Sequence, residues 1–167
     1  AFEVRAAQAL DSRDWPAAID NLRKALALAP DNPYAHLNLG TALVLSGETA
    51  AARSEFEAAL RLAPGLAKAH YAMGILFEED GRERDAIDAF ARAVEHEPGS
   101  IEARLSLADA LRRNGREEDS LPQYVETLRL DPSIARAQFG AAMALVRLRR
   151  HAEARARLDE GARAYPD

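Results

Sequence analysis

Five prolines punctuate the chain at a single interval. Pro30, Pro64, Pro98, Pro132 and Pro166 stand 34 residues apart each time. A fixed period of that size indicates one small supersecondary unit stacked on copies of itself. Cutting the chain on the period gives a partial first unit, 1–32, then 33–66, 67–100, 101–134 and 135–167. The remaining columns fall into step. Small residues recur as Ala6, Gly40, Gly74, Ala108 and Ala142, as Ala18, Ala52, Ala86, Ser120 and Ala154, and as Ala25, Ala59, Ala93, Thr127 and Gly161. A bulky column reads Leu22, Phe56, Phe90, Tyr124 and Leu158.

Composition says what the units are made of. Alanine contributes 37 of 167 residues and arginine 20, and β-branched residues are few. That balance favours helix over strand, so the chain is expected to be all-α. Each unit reads as two helices. In 33–66 the first runs from Tyr34 to Leu45, Ser46-Gly47 makes the turn, and the second runs from Thr49 to Leu62. Leu39, Gly40 and Leu43 recur at helical spacing, as do Ala52, Phe56 and Ala59. Gly47, Gly81 and Gly115 close the first helix of the central units, where a left-handed residue costs least if it is glycine. The periodic prolines help to stop the second helix, because they cannot continue its hydrogen-bond ladder. Small columns let neighbouring backbones approach, and the bulky column fills the space beside them.

A helix–turn–helix of 34 residues carrying Leu39-Gly40 and Met73-Gly74, then Ala52, Phe56, Ala59, Pro64 and Ala86, Phe90, Ala93, Pro98, resembles the tetratricopeptide repeat (TPR). The likeness covers essentially the whole chain. It implies one domain over 1–167, a right-handed superhelical solenoid of five antiparallel helical hairpins. The departures set further expectations. Where the family often has Trp, this chain has Phe2, His36, His70, Arg104 and Gln138. Ser120 and Pro122 predict a late start or a local distortion in the second helix of the fourth unit. Arg13 and Arg149 stand in the column of the turn glycines. The first unit opens inside its first helix, which suggests a segment excised from something longer.

Several function classes are excluded at this level. With no cysteine there is no disulfide scaffold, thiolate metal site or Cys nucleophile. A net charge of -5 argues against general nucleic-acid binding. No apolar run approaches the roughly 18–20 residues that span a bilayer, so no membrane insertion is expected. No nucleophile elbow and no phosphate-cradling glycine loop is present, so no catalytic residue, cofactor or enzymatic activity is expected. His36 and His70 share a column but have no acidic or third-histidine company, which favours packing over metal. Glu78-Glu79-Asp80 and Glu117-Glu118-Asp119 lack the alternating donors of a calcium loop and read as solvated faces and helix starts.

The informative surface is the stripe beside the packed one, at i, i+3, i+7 and i+10 of each first helix. It comprises Tyr34, Leu37, Thr41 and Val44, then Lys68, Tyr71, Ile75 and Glu78. The next units supply Glu102, Leu105, Asp109 and Arg112, and Arg136, Phe139, Met143 and Val146. The TPR resemblance implies that this stripe lines a concave face. One column, Leu37, Tyr71, Leu105 and Phe139, is apolar throughout and is expected to form an exposed ladder for an extended peptide or a partner helix. Asn38 lies beside it. Two ligand modes of the family fail residue by residue. A carboxylate clamp for chaperone tails would find Asn38 and Lys68 but Glu3, Ala7 and Ala72 elsewhere, and the asparagine ladder reads Val4, Asn38, Ala72, Ser106, Gly140.

Charge is uneven along the array. Unit 67–100 has 4 basic and 8 acidic residues, whereas 135–167 has 7 basic and 4 acidic. That contrast, with Phe2, Val4, Leu145, Leu148, Leu158 and Tyr165 near the ends, predicts association between copies or cover by neighbouring segments. The expected function is a non-catalytic interaction scaffold for a protein or peptide. The alternative is a targeting or assembly module of a larger enzyme or secretion-related protein. Arginine replaces lysine almost everywhere, only Lys24 and Lys68 being present, which suggests a bacterial source. The cytoplasm is the expected compartment, with the periplasm the alternative for a longer exported chain.

Overall fold

The computed structural model describes residues 2–164, and among these it contains ten helices and no strand. In chain order they are α1 (Phe2–Asp11), α2 (Trp15–Leu28), α3 (Pro33–Ser46), α4 (Thr49–Leu62) and α5 (Ala67–Glu79). They continue as α6 (Glu83–His96), α7 (Ile101–Arg113), α8 (Glu117–Leu130), α9 (Ala135–Arg147) and α10 (His151–Ala164). Tyr165 and Pro166 lie outside the described residues. The chain divides into two compact units, one up to Asp80 and one from Gly81. In the first, α1 packs on α2, α2 on α3, α3 on α4 and α4 on α5. In the second, α6 packs on α7, α7 on α8, α8 on α9 and α9 on α10. Sequential neighbours carry the packing, as in any stack of hairpins.

Helix starts follow local chemistry. Asp14 accepts from the Ala17 N–H at 3.1 Å, Asn32 from those of Tyr34 and Ala35 at 3.0 and 3.2 Å, and Ser100 from that of Ala103 at 3.3 Å. Each satisfies donors that the first turn leaves without intrahelical partners. The turns after α3, α7 and α9 share one bonding scheme. The Gly47 N–H donates to the Val44 carbonyl and that of Glu48 to Leu43. Gly115 and Arg116 repeat this on Arg112 and Leu111, and so do Arg149 and Arg150 on Val146 and Leu145. Arg149 and Arg13 take positive φ, 61° and 58°, beside the 87°, 70° and 75° of Gly47, Gly81 and Gly115. The turn therefore keeps its shape even where an arginine must bear left-handed strain.

The column that often holds Trp in the family has a different purpose in this chain. His36 donates through Nε2 to the Pro30 carbonyl at 2.9 Å, and His70 to that of Pro64 at 2.8 Å. Arg104 reaches the Pro98 carbonyl at 2.6 Å, and Gln138 that of Pro132 at 3.4 Å. Three residue types thus make one bond, each tying a first helix to the turn that precedes it. His36 also places Nδ1 2.6 Å from a Glu55 carboxylate oxygen. Metal is not needed to explain the column, and among the described residues no group of three His, Asp or Glu is placed to hold an ion.

The small columns are buried as their periodicity demands: Ala18, Ala52, Ala86, Ser120 and Ala154, with Ala25, Ala59, Ala93 and Thr127. Leu22, Phe56, Phe90 and Tyr124 are buried beside them, while Leu158 on α10 is 50% exposed. The expected late start of α8 is not found. It begins at Glu117, in register with Thr49 and Glu83, and runs through Pro122. Pro122 and Glu118 both face solvent, so water can serve the Glu118 carbonyl that a proline N–H cannot. In the first unit Arg53 ties α4 to the end of α5. Its guanidinium lies 5.3 Å from the Phe77 ring centre and pairs with Asp80.

Candidate partner-binding face

In the first unit the stripe is carried by α3 and α5. Tyr34 is 63% exposed, and Asn38, Thr41 and Lys68 are exposed as well. Thr41 spends its hydroxyl on the Leu37 carbonyl at 2.9 Å. Tyr71 and Ile75 are half-buried. Leu37 departs from expectation: at 7% exposure it belongs to the core, so the apolar ladder is not open along its length. Its position at the edge of the packed stripe lets a branched aliphatic roll inwards, where burial is favourable.

In the second unit α7 and α9 carry the face. Phe139 is 59% exposed and Met143 is half-buried. Leu105 is half-buried too, leaning on a cluster of Ala108, Tyr124, Leu128, Ala137 and Ala141. Asp109 is the surprise, a carboxylate only 4% exposed in a stripe read as surface. The Tyr124 hydroxyl donates to Asp109 Oδ1, and the Arg112 Nε donates to that hydroxyl at 3.1 Å. Arg136 pairs with Asp109 Oδ2. Burial first, and then the bond to Asp109, pushes the Tyr124 phenol far above its ordinary range and keeps it a neutral donor. A buried carboxylate is costly unless charges and donors surround it, and here two arginines and a phenol do so.

Backbone makes room for this group. Tyr124 on α8 extends over Gly140 on α9, where a Cβ would fall far inside contact distance of the phenol ring. Asp109, Arg112 and Arg136 stand in the stripe legible from the sequence, whereas Tyr124 and Gly140 stand outside it. Two signals were present: a hydroxyl in a column otherwise of Phe and Leu, and a glycine where the other units have Asn38, Ala72 and Ser106. Neither column says that the two meet.

Between α8, α9 and α10 the second unit carries a cavity of about 250 Å³ lined by Leu121, Val125, Leu145 and Ala156. Its rim is spanned by the ion pairs Arg150–Glu153 and Arg157–Glu160, at 2.7 and 3.2 Å.

Two tetratricopeptide repeat models match the sequence, one over residues 9–76 and the other over 71–127 and 118–167. The chain belongs to the tetratricopeptide repeat family. No curated protein matches it in sequence. Solved TPR structures match it in shape. A crystal structure of MamA superposes with a TM-score of 0.85 at 21% identity, covering 98% of this chain and 89% of that one. Another, of MamA AMB-1, gives 0.83 at 19%, covering 97% and 88%. YrrB, described as a TPR protein with an unusual peptide-binding site, gives 0.82 at 24%, covering 97% and 84%. At these identities the likeness carries the fold, an all-α TPR solenoid. No described helix is long and apolar enough to cross a membrane.

Proposed function

We propose that this TPR protein is a non-catalytic interaction scaffold that holds an extended peptide or a partner helix on the face of its first helices. Membership of the family supports the scaffold reading. The observation that carries the choice of face is the exposure of Tyr34 on α3 and Phe139 on α9, aromatic side chains left more open to solvent than any other apolar residue of the stripe on those helices. Aromatic anchors of this kind dominate interfaces because they bury much area for little entropy loss. Around them, Asn38, Thr41, Lys68, Tyr71 and Ile75 in the first unit, and Leu105, Arg112, Arg136 and Met143 in the second, supply the rest of the surface, with Asp109 buried beneath the two arginines.

The test uses a random dodecapeptide library displayed against the whole chain. Selected peptides should bind Tyr34→Ala or Phe139→Ala about tenfold or more weakly, with the melting temperature nearly unchanged. Val125→Ala, at the cavity of α8, α9 and α10 and outside the stripe, should leave their affinity intact. Affinity indifferent to Tyr34 and Phe139 would remove the reading.

A further inference from the structure

The face of α7 and α9 carries a charge arrangement that packing alone does not require. Asp109 is buried and compensated twice, by Arg112 through the Tyr124 hydroxyl and by Arg136 directly. One carboxylate thus anchors two guanidinium groups, leaving one positive charge in excess at that point. Neither guanidinium is used up. Arg112 gives its Nε to the phenol, and its side chain is half-buried rather than enclosed. Arg136 reaches Asp109 through a terminal nitrogen while 62% of its side chain stays in solvent. Each retains donors in a rigid planar fork, the geometry that suits carboxylate oxygens. Glu102, exposed in the column of Arg136, is the remaining acidic residue of this stripe in the second unit.

Resting on the interaction reading above, we infer that Arg112 and Arg136, positioned by Asp109 and Tyr124, receive the side-chain carboxylate of an Asp or Glu inside an extended peptide. Charge complementarity selects an acid, because the anchoring carboxylate is out of solvent and the arginines it holds are the part that meets a ligand. An internal residue fits better than a chain terminus because each arginine shares its helix with apolar stripe residues that a continuing peptide could meet. Leu105 stands two turns before Arg112 on α7, and Phe139 one turn beyond Arg136 on α9 with Met143 after it. A peptide that sets its acid on the arginines can run on and lay an apolar side chain against Phe139. Tyr124 and Asp109 are positioning residues in this arrangement: they hold the guanidinium groups and do not meet the peptide.

The dodecapeptides selected on the whole chain provide the probe. They are expected to share an acidic residue near an apolar one, and a synthetic copy with that acid changed to its amide should bind about tenfold more weakly. Arg136→Gln and Arg112→Gln should each lose a similar factor. Arg136→Lys, which still neutralises Asp109 but offers a point charge, should lie between, so that binding is separated from folding. Tyr124→Phe should lower the preference for acid over amide with the helical circular dichroism intact. Raising the salt concentration should weaken the acidic peptide more than its amide. Peptides without a shared acid that bind Arg136→Gln normally yet fail on Phe139→Ala would overturn this inference and leave the interaction face standing. Loss of binding on amidating the peptide C-terminus, with the internal acid indifferent, would overturn it in favour of a terminal carboxylate. Indifference to Tyr34, Phe139 and Arg136 alike would remove both readings.

Discussion

Phe56 and Tyr124 occupy the same column of two hairpins, and the two units of the molecule treat them oppositely. In the first unit the Phe56 ring lies over Gly40 of its own hairpin, and nothing polar is asked of it. In the second, Ala108 stands in the column of Gly40, and the Tyr124 ring lies instead over Gly140 of the following hairpin. The residue in the column of Gly140 after Phe56 is Ala72, which has a Cβ. Each ring has gone to the side that lacks one. The same column then serves two ends: a dry core contact in one unit, and in the other a buried phenol that links Asp109 and Arg112 beneath the exposed Arg136. A repeat protein can therefore place a charged site on an unaltered scaffold by moving a glycine and adding an oxygen.

The largest effect that tests this contrast comes from filling the two clefts. Gly40→Ala and Gly140→Ala each push a Cβ into a buried ring and should cost about 2 kcal/mol as overpacking, read by denaturant unfolding. Only Gly140→Ala should also weaken acidic peptides, because only there does the ring carry the arginines. Equal effects on binding from both would erase the distinction between the units.

Next in size is Tyr124→Phe, which makes the second unit resemble the first. It removes a donor from buried Asp109 and should cost about 1–2 kcal/mol near neutral pH. The sign with pH follows from the raised phenol. A group held neutral in the folded state adds stability below its unfolded value, near 10, and loses it as the pH climbs towards the folded one. Unfolding free energies of the parent chain and of Tyr124→Phe should converge above about pH 10. A constant gap through that range would mean that the phenol is not held as described.

The smallest effect concerns the turns. Arg149 adopts the left-handed conformation that Gly115 adopts in the preceding hairpin, with the same bonds to the end of its helix. Arg149→Gly should raise the stability of the second unit by about 0.5–1 kcal/mol, measured as a higher melting temperature. Arg13→Gly provides the matching test in the first unit, and a loss of stability at either site would show that the arginine side chain contributes more than its backbone costs.

Much of this molecule was legible one column at a time. The proline period set the spacing of the hairpins, and the helix read from Thr49 to Leu62 is the helix found. The buried alanine columns followed from spacing alone, because a position repeated at helical period faces one way in every unit. Pro122 does not delay the start of α8, since an exposed proline can be carried inside a helix whose other face is well packed. Leu37 and Asp109 were misread as surface because a stripe beside the core has no sharp edge, and one residue's tilt decides its side.

By itself the sequence determined an all-α chain of stacked helical pairs, where each pair turns and which small columns line its core, all consequences of local period and of the backbone limits on Gly and Pro. Tertiary structure decided the rest. It set the direction each ring leans, the burial of Asp109 and the convergence of Arg112, Arg136 and Tyr124 upon it. It also made His36, His70, Arg104 and Gln138 donors to the proline carbonyls. These depend on atoms present or missing on a neighbouring helix, and a column of one position carries no record of what stands across from it.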